Sequence, residues 1–252
     1  MYLYSAMKRC HSYFFLSLFL LLFTCTSDDA PPANNDTDSE VIDDDTETTE
    51  ETTSVTYKLL SLGDSYTIGQ SVCSSCRFPA QLRDSLGSVL INDEFQLRIV
   101  AQTGWTTTNL LNALEDETIQ NDYDLVTLLI GVNNQFQGKP FELYETEFPE
   151  LVSQAIGYAN NNASKLIVVS IPDYAYTPFG QGNPNISEGI DQYNAFAQNY
   201  CLSNGITFIN ITDITRLGLE QPELVASDGL HPSTIAYSLF VERLLPPALQ
   251  KL

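Results

Sequence analysis

Leu125-Val126-Thr127-Leu128-Leu129-Ile130-Gly131-Val132-Asn133-Asn134 carries the strongest structural signal in the chain. Residues 125–130 are apolar apart from Thr127, with no polar alternation, and they stop at a glycine. A run this short and this apolar reads as a strand buried on both faces, the pattern of a central strand in a parallel sheet. On either side of it, apolar runs at 57–62, 97–101, 165–171 and 207–211 read as four further strands. Between and after them, 78–86, 108–117, 141–159, 188–202 and 234–245 have helical periodicity. Five strands alternating with helices predict a three-layer α/β/α domain of flavodoxin-like type, with one parallel five-stranded sheet.

Polar, glycine-bearing segments follow three of the strands: Gly63-Asp64-Ser65, Gln102-Thr103-Gly104 and Gly131-Val132-Asn133. Parallel sheets of this kind place their sites beyond the carboxyl ends of the strands, so the three segments are expected at one sheet edge. Only two histidines occur, and His11 falls in the leader described below, so His231 is the one imidazole available to the folded part. It sits in Asp228-Gly229-Leu230-His231, where a turn can lay the Asp228 carboxylate against one ring nitrogen and leave the other free for a nucleophile. The plainer alternative is an Asp-Gly turn ahead of a helix, with His231 at the surface. Gly63-Asp64-Ser65-Tyr66 presents Ser65 just past the first strand; alone it reads equally as an ordinary turn. No Gly-x-Ser-x-Gly elbow surrounds Ser65.

Taken in order, Gly63-Asp64-Ser65, Gly104, Gly131-Val132-Asn133-Asn134 and Asp228-Gly229-Leu230-His231 resemble the four blocks of the SGNH (GDSL-type) hydrolases. The resemblance spans nearly all of 57–252. It implies an esterase in which Ser65 attacks a carbonyl, His231 moves the proton and Asp228 orients His231. It also implies an oxyanion hole made of the Ser65 and Gly104 N–H groups and the Asn133 amide, with no cofactor or metal. Asn134 stands where the family usually carries aspartate, and restoring aspartate there is expected to be tolerated. The implied substrates are acyl lipids, acetylated glycans or small acyl esters. The alternatives are an acyltransferase, or a non-catalytic glycan- or lipid-binding protein on the same fold. Trp105, Tyr174, Tyr176 and Phe179 fall near the same edge and read either as pocket lining or as loop packing.

The net charge of -21 is unevenly distributed. Residues 1–25 carry +2 from Lys8 and Arg9, residues 26–56 carry -11, and the remainder carries -12. An acidic domain repels phosphate backbones, which argues against nucleic acid as a partner. Lys8-Arg9, the apolar run of 13–23 and Leu22-Phe23-Thr24-Cys25 read as a lipoprotein signal peptide, with Met7 a more ordinary start than Met1. Cys25 is then the lipidated residue and the membrane anchor. Residues 26–56, nearly all polar or acidic, are expected to form a disordered tether. The opening Thr26-Ser27-Asp28-Asp29 suggests an outer-membrane or cell-surface lipoprotein, with the periplasmic face as the alternative. A monomer is expected. In an exported protein Cys73-Ser74-Ser75-Cys76 reads as a local disulfide, with unpaired thiols the alternative; Cys201 is expected as a buried free thiol.

Overall fold

The computed structural model describes residues 53–252. The leader, Cys25 and almost all of the acidic segment, with the expectations attached to them, lie outside the described residues.

Five strands form one sheet: β1 (Thr56–Gly63), β2 (Glu94–Ala101), β3 (Leu125–Leu129), β4 (Leu166–Val169) and β5 (Thr207–Ile209). The order is β2-β1-β3-β4-β5 and every neighbouring pair is parallel. All five residues of β3 and all four of β4 are buried, because helices cover both faces of the sheet centre. The polar residue inside β3 is satisfied within the sheet: Thr127 Oγ1 donates to Ser61 Oγ at 2.9 Å, directly across the β1–β3 register. β2, at one edge, alternates exposed and half-buried positions over its first four residues and becomes buried only at Val100.

Eight helices accompany the strands in the described residues: α1 (Ser65–Ile68), α2 (Phe78–Val89), α3 (Thr107–Asp116), α4 (Val132–Phe136), α5 (Phe141–Tyr158), α6 (Pro184–Ser203), α7 (Thr212–Thr215) and α8 (Thr234–Leu249). α2 packs on α8, while α3 packs on α5 and α5 on α6. This is the three-layer parallel α/β fold expected from the strand pattern. Leu60, Leu62, Leu128 and Leu129 from the sheet meet Phe78, Leu86, Tyr144, Phe148 and Phe240 from the helices in one apolar core.

Two departures have physical reasons. The four- and five-residue helices α1, α4 and α7 follow strands directly and are too short to show a hydrophobic period. α8 continues past Pro246-Pro247 to Leu249. The carbonyls robbed of donors by the two prolines belong to Glu242 and Arg243, both exposed, while Ala248 keeps the buried stripe going.

Candidate active site

β1 is followed by a crossover to one side of the sheet and β3 by a crossover to the other, so a crevice opens where their carboxyl ends meet. β1 closes on Gly63, where a Cβ would collide with Leu129 O and Thr67 Oγ1; only glycine lets the two strand ends stay this close. Asp64 then caps α1, its Oδ1 accepting from Tyr66 N–H at 3.0 Å. The chain turns at once, and Ser65 becomes the first helical residue at the mouth of the crevice.

Asp64 is fully buried, and its second oxygen accepts from Asn133 Nδ2 at 3.4 Å. Burial pushes its carboxyl up to about 7, against the pull of the Tyr66 N–H and the Asn133 amide. Asn133 enters from α4, immediately beyond β3. The third element comes from the end of β2, where Gly104 takes φ +84°. A Cβ there would meet nothing within 4 Å, so the left-handed backbone, not crowding, calls for glycine. Gln137 Nε2 ties this turn to the end of α4 by donating to Gly104 O at 2.9 Å. Among the described residues, neither the Ser65 nor the Gly104 N–H donates to a protein acceptor.

His231 arrives from the loop ahead of α8. Its Nδ1 lies 2.7 Å from Asp228 Oδ2, and Asp228 Oδ1 accepts from the Leu230 and His231 backbone N–H groups, each at 3.0 Å. Ser71 Oγ donates to Asp228 Oδ2 at 2.6 Å. Partial burial pushes the Asp228 carboxyl up, but the Ser71 hydroxyl, the His231 ring and the two amides outweigh it and hold it well below the usual carboxylate range. The Tyr66 ring packs 5.1 Å from the imidazole. An imidazole bound at Nδ1 by an ionised carboxylate presents Nε2 outward, the arrangement that lets a histidine take a proton from a hydroxyl and hand it on.

Ser65, Gly104, Asn133 and His231 all line one cavity of about 180 Å³. Its other walls are mostly apolar, with Val132, Phe136, Tyr174 and Leu230 prominent. No direct hydrogen bond joins Ser65 to His231 among the described residues; such bonds often tighten only when substrate is bound. Tyr174 is held as a wall by its hydroxyl, which donates to Gln135 Oε1 at 2.7 Å. Phe179 stands exposed at the rim, its ring 5.9 Å from Phe136 and 6.3 Å from Tyr174. Trp105 packs against the core and does not line the cavity, and neither does Tyr176.

Asn134, the departure from the usual pattern, points away from the cavity. It is fully buried, its Oδ1 accepting from Thr107 N–H at 2.9 Å and its Nδ2 donating to Thr107 Oγ1 at 2.6 Å. The Thr107 hydroxyl in turn donates to Glu147. Asn134 therefore pins the start of α3, and Asn133 is left to face the crevice. A disulfide joins Cys73 and Cys76, and Cys201 is a buried free thiol that burial pushes up to about 12. No group of three His, Cys, Asp or Glu side chains is placed to hold a metal among the described residues.

Neither the Ser71 contact nor the raised pKa of Asp64 has a signal in the sequence. Ser71 has φ +67°, and nothing in Gly69-Gln70-Ser71-Val72 announces that turn or its target 157 residues away.

The switch point of this parallel α/β/α sheet thus gathers a serine, a carboxylate-bound histidine and two backbone N–H groups without a protein acceptor among the described residues. The sequence profile of the GDSL-like lipase/acylhydrolase family matches residues 61–239, well over half of the chain, and the chain belongs to that family. It is a carboxylic ester hydrolase. No curated protein matches it. Solved structures of similar fold include an acetyl xylan esterase variant from Geobacillus stearothermophilus (TM-score 0.56, 18% identity, covering 76% of this chain and 94% of that one). A lipase/acylhydrolase from Enterococcus faecalis gives 0.59 at 20% identity, over 75% and 94% of the two chains. A psychrotrophic esterase from Pseudoalteromonas, inhibited by monoethylphosphonate, gives 0.56 at 18% identity, over 77% and 97%.

Proposed function

We propose that this esterase works through a Ser65–His231–Asp228 triad, with the Ser65 and Gly104 N–H groups and the Asn133 side-chain amide as its oxyanion hole. The observation that carries the reading is the shared cavity. Ser65 opens into the same space as an imidazole fixed by Asp228, and the Ser65 and Gly104 N–H groups beside it have no protein acceptor among the described residues.

Ser65 Oγ attacks the ester carbonyl carbon while His231 Nε2 takes the hydroxyl proton. The carbonyl electron pair moves onto the oxygen, which the three donors receive. Removing one such donor typically costs roughly 3 kcal/mol of barrier. Collapse of the tetrahedral intermediate breaks the bond to the alcohol, and His231 returns the proton to that leaving oxygen. Water then repeats the sequence on the acyl-Ser65 ester, releasing the carboxylic acid and restoring the serine. Asp228 stays ionised throughout and compensates the imidazolium formed at each step.

The substrate we infer is a neutral ester of modest size. Three features support it: mostly apolar walls, no lysine or arginine lining the cavity, and a domain charge of -12, which disfavours anionic substrates. Acetylated glycans, small acyl esters and neutral acyl lipids meet this description. The acetyl xylan esterase among the similar folds adds support for a glycan ester. A panel of p-nitrophenyl esters of graded chain length, peracetylated sugars and an acyl-CoA tests it. Neutral short esters should turn over well and the polyanionic thioester poorly; preference for the acyl-CoA would overturn the inference.

We further propose that residues 1–25 direct export, that Cys25 carries the lipid, and that 26–56 tether the domain at the outer membrane or cell surface. The basic-then-apolar order ahead of Cys25 supports this, and the Cys73–Cys76 disulfide fits an oxidising compartment. Cys25→Ser should move the protein out of the membrane fraction with its activity intact; unchanged fractionation would refute the anchor.

A further inference from the structure

Among the described residues, Asp228 has one side-chain partner besides His231. Asp228 Oδ2, the oxygen that holds the imidazole, also accepts a hydrogen bond from Ser71, and at 2.6 Å that bond is as short as the one to the ring. Ser71 has a backbone that a serine rarely adopts. Its φ of +67° lies in the left-handed region, which favours glycine and tolerates asparagine. A turn that served only to connect α1 to α2 would be cheaper with glycine, the residue two positions earlier at Gly69, where φ is +76°. Strain of this kind persists where the surroundings fix it and where the side chain has a task.

The surroundings do fix it. Val72 N–H donates to Gly69 O at 3.2 Å, closing the turn from within. On one side Gln70 Oε1 accepts from Thr103 Oγ1 at 2.7 Å, in the same turn that carries Gly104. On the other side the Cys73–Cys76 disulfide begins two residues on, and Gln81 Nε2 of α2 donates both to Cys76 O and, at 3.2 Å, to Thr234 O at the start of α8. The segment is thus stapled to the two loops whose relative position matters most for the reaction.

We infer that Ser71 is a positioning residue for the Asp228–His231 pair, its hydroxyl fixing the plane of the Asp228 carboxylate so that Oδ2 stays on His231 Nδ1. The inference rests on the triad reading above. Rotation about the Cβ–Cγ bond moves both carboxylate oxygens; the two backbone amides restrain Oδ1, and Ser71 restrains Oδ2, the oxygen that holds the imidazole. No proton is transferred from Ser71 in the reaction. It donates one hydrogen bond to a carboxylate that remains ionised, and such charge-assisted bonds are the stronger kind.

The test separates the hydroxyl from the backbone strain and from the triad itself. Ser71→Ala keeps the strain and removes the hydroxyl; Ser71→Gly removes both. Each should lower kcat on a p-nitrophenyl ester by about tenfold with KM little changed. Ser71→Gly should melt at or above the wild-type temperature, so its loss of rate cannot come from a weakened fold. In an Asp228→Ala background, neither substitution should lower kcat further, because the group through which Ser71 acts is gone. A Ser71→Gly enzyme with full kcat, or an equal loss in the Asp228→Ala background, would overturn the inference. If Asp228→Ala alone were as active as the parent, the triad reading would fail instead.

Discussion

Replacing Asp64 with asparagine should remove a pH-dependent part of the protein's stability and slow the enzyme at the same time. The carboxyl is fully buried and burial pushes it up to about 7 from the ordinary 3.8. It holds a proton more tightly when folded than when unfolded, so its contribution to stability is complete below pH 3.8 and is lost as pH rises through about 7. With one pKa unit worth about 1.4 kcal/mol, integrating the two titrations gives a loss of about 1.4 kcal/mol between pH 6 and pH 8. In a domain of this size that is roughly 3–5 °C of Tm. The Asp64→Asn protein has no such group, so the gap between its Tm and the wild-type Tm should widen by that amount from pH 6 to pH 8. Activity moves the other way. Asp64 Oδ2 accepts from the Asn133 amide, and an asparagine there turns an NH₂ toward an NH₂. The Asn133 amide must rotate or lose its partner, and kcat should fall by up to about 10², the effect of losing one oxyanion donor. Thermal unfolding at the two pH values and steady-state kinetics check both halves. A Tm gap that stays constant, or an unchanged kcat, would refute the reasoning.

Asn134→Asp should not be a free restoration of the usual family residue. The Thr107 hydroxyl has one proton, given to Glu147 while Asn134 Nδ2 supplies another to Thr107, and an aspartate would leave two carboxylates competing for that proton. A loss of about 1–3 kcal/mol is expected in chemical denaturation, recovered in part by Glu147→Gln, whose amide can donate where the carboxylate could not; no recovery in the double variant would contradict it. Cys73→Ser with Cys76→Ser should lower kcat in the same direction as Ser71→Ala, because the staple beside Ser71 is gone; dithiothreitol should do the same to the wild type and nothing to the double variant. A protein beginning at Ser54 should keep wild-type kcat/KM on soluble esters, since the motif blocks all fall later in the chain; lost activity in a cooperatively folded truncation would show that the acidic segment acts on the site.

Much of this fold can be read from the chain because burial writes directly into composition. A strand covered on both faces must be apolar throughout, and 125–130 is; the alternation of such runs with amphipathic stretches then leaves few topologies. The apolar run at 165–171 outlasts the strand Leu166–Val169, because the buried Ser170 still donates its N–H to Ile209 O while Ile171 turns its N–H to the Asn194 side chain. The four blocks around Ser65, Gly104, Asn133 and His231 are legible because each follows a strand or precedes a helix at a fixed place, and the structure brings them to one cavity. What could not be read depends on contacts between residues far apart in sequence. Ser71 meets Asp228 across 157 positions, Thr103 meets Gln70, and Asp64 is acidic or not according to how completely it is buried. The aromatic residues divide for the same reason. Tyr174 becomes a wall because Gln135 catches its hydroxyl, while Trp105, adjacent to Gly104, turns to the core.

The whole proposed reaction depends on Ser65 as the nucleophile and His231 as its base. Treating the protein with a fluorophosphonate and locating the adduct by peptide mass mapping tests it most directly, because the reagent phosphonylates only a serine activated by a neighbouring base. One adduct is expected, on Ser65, absent in Ser65→Ala and formed far more slowly in His231→Ala, with ester hydrolysis lost in parallel and the fold intact. An adduct on another residue, or ester turnover that survives in Ser65→Ala, would contradict it.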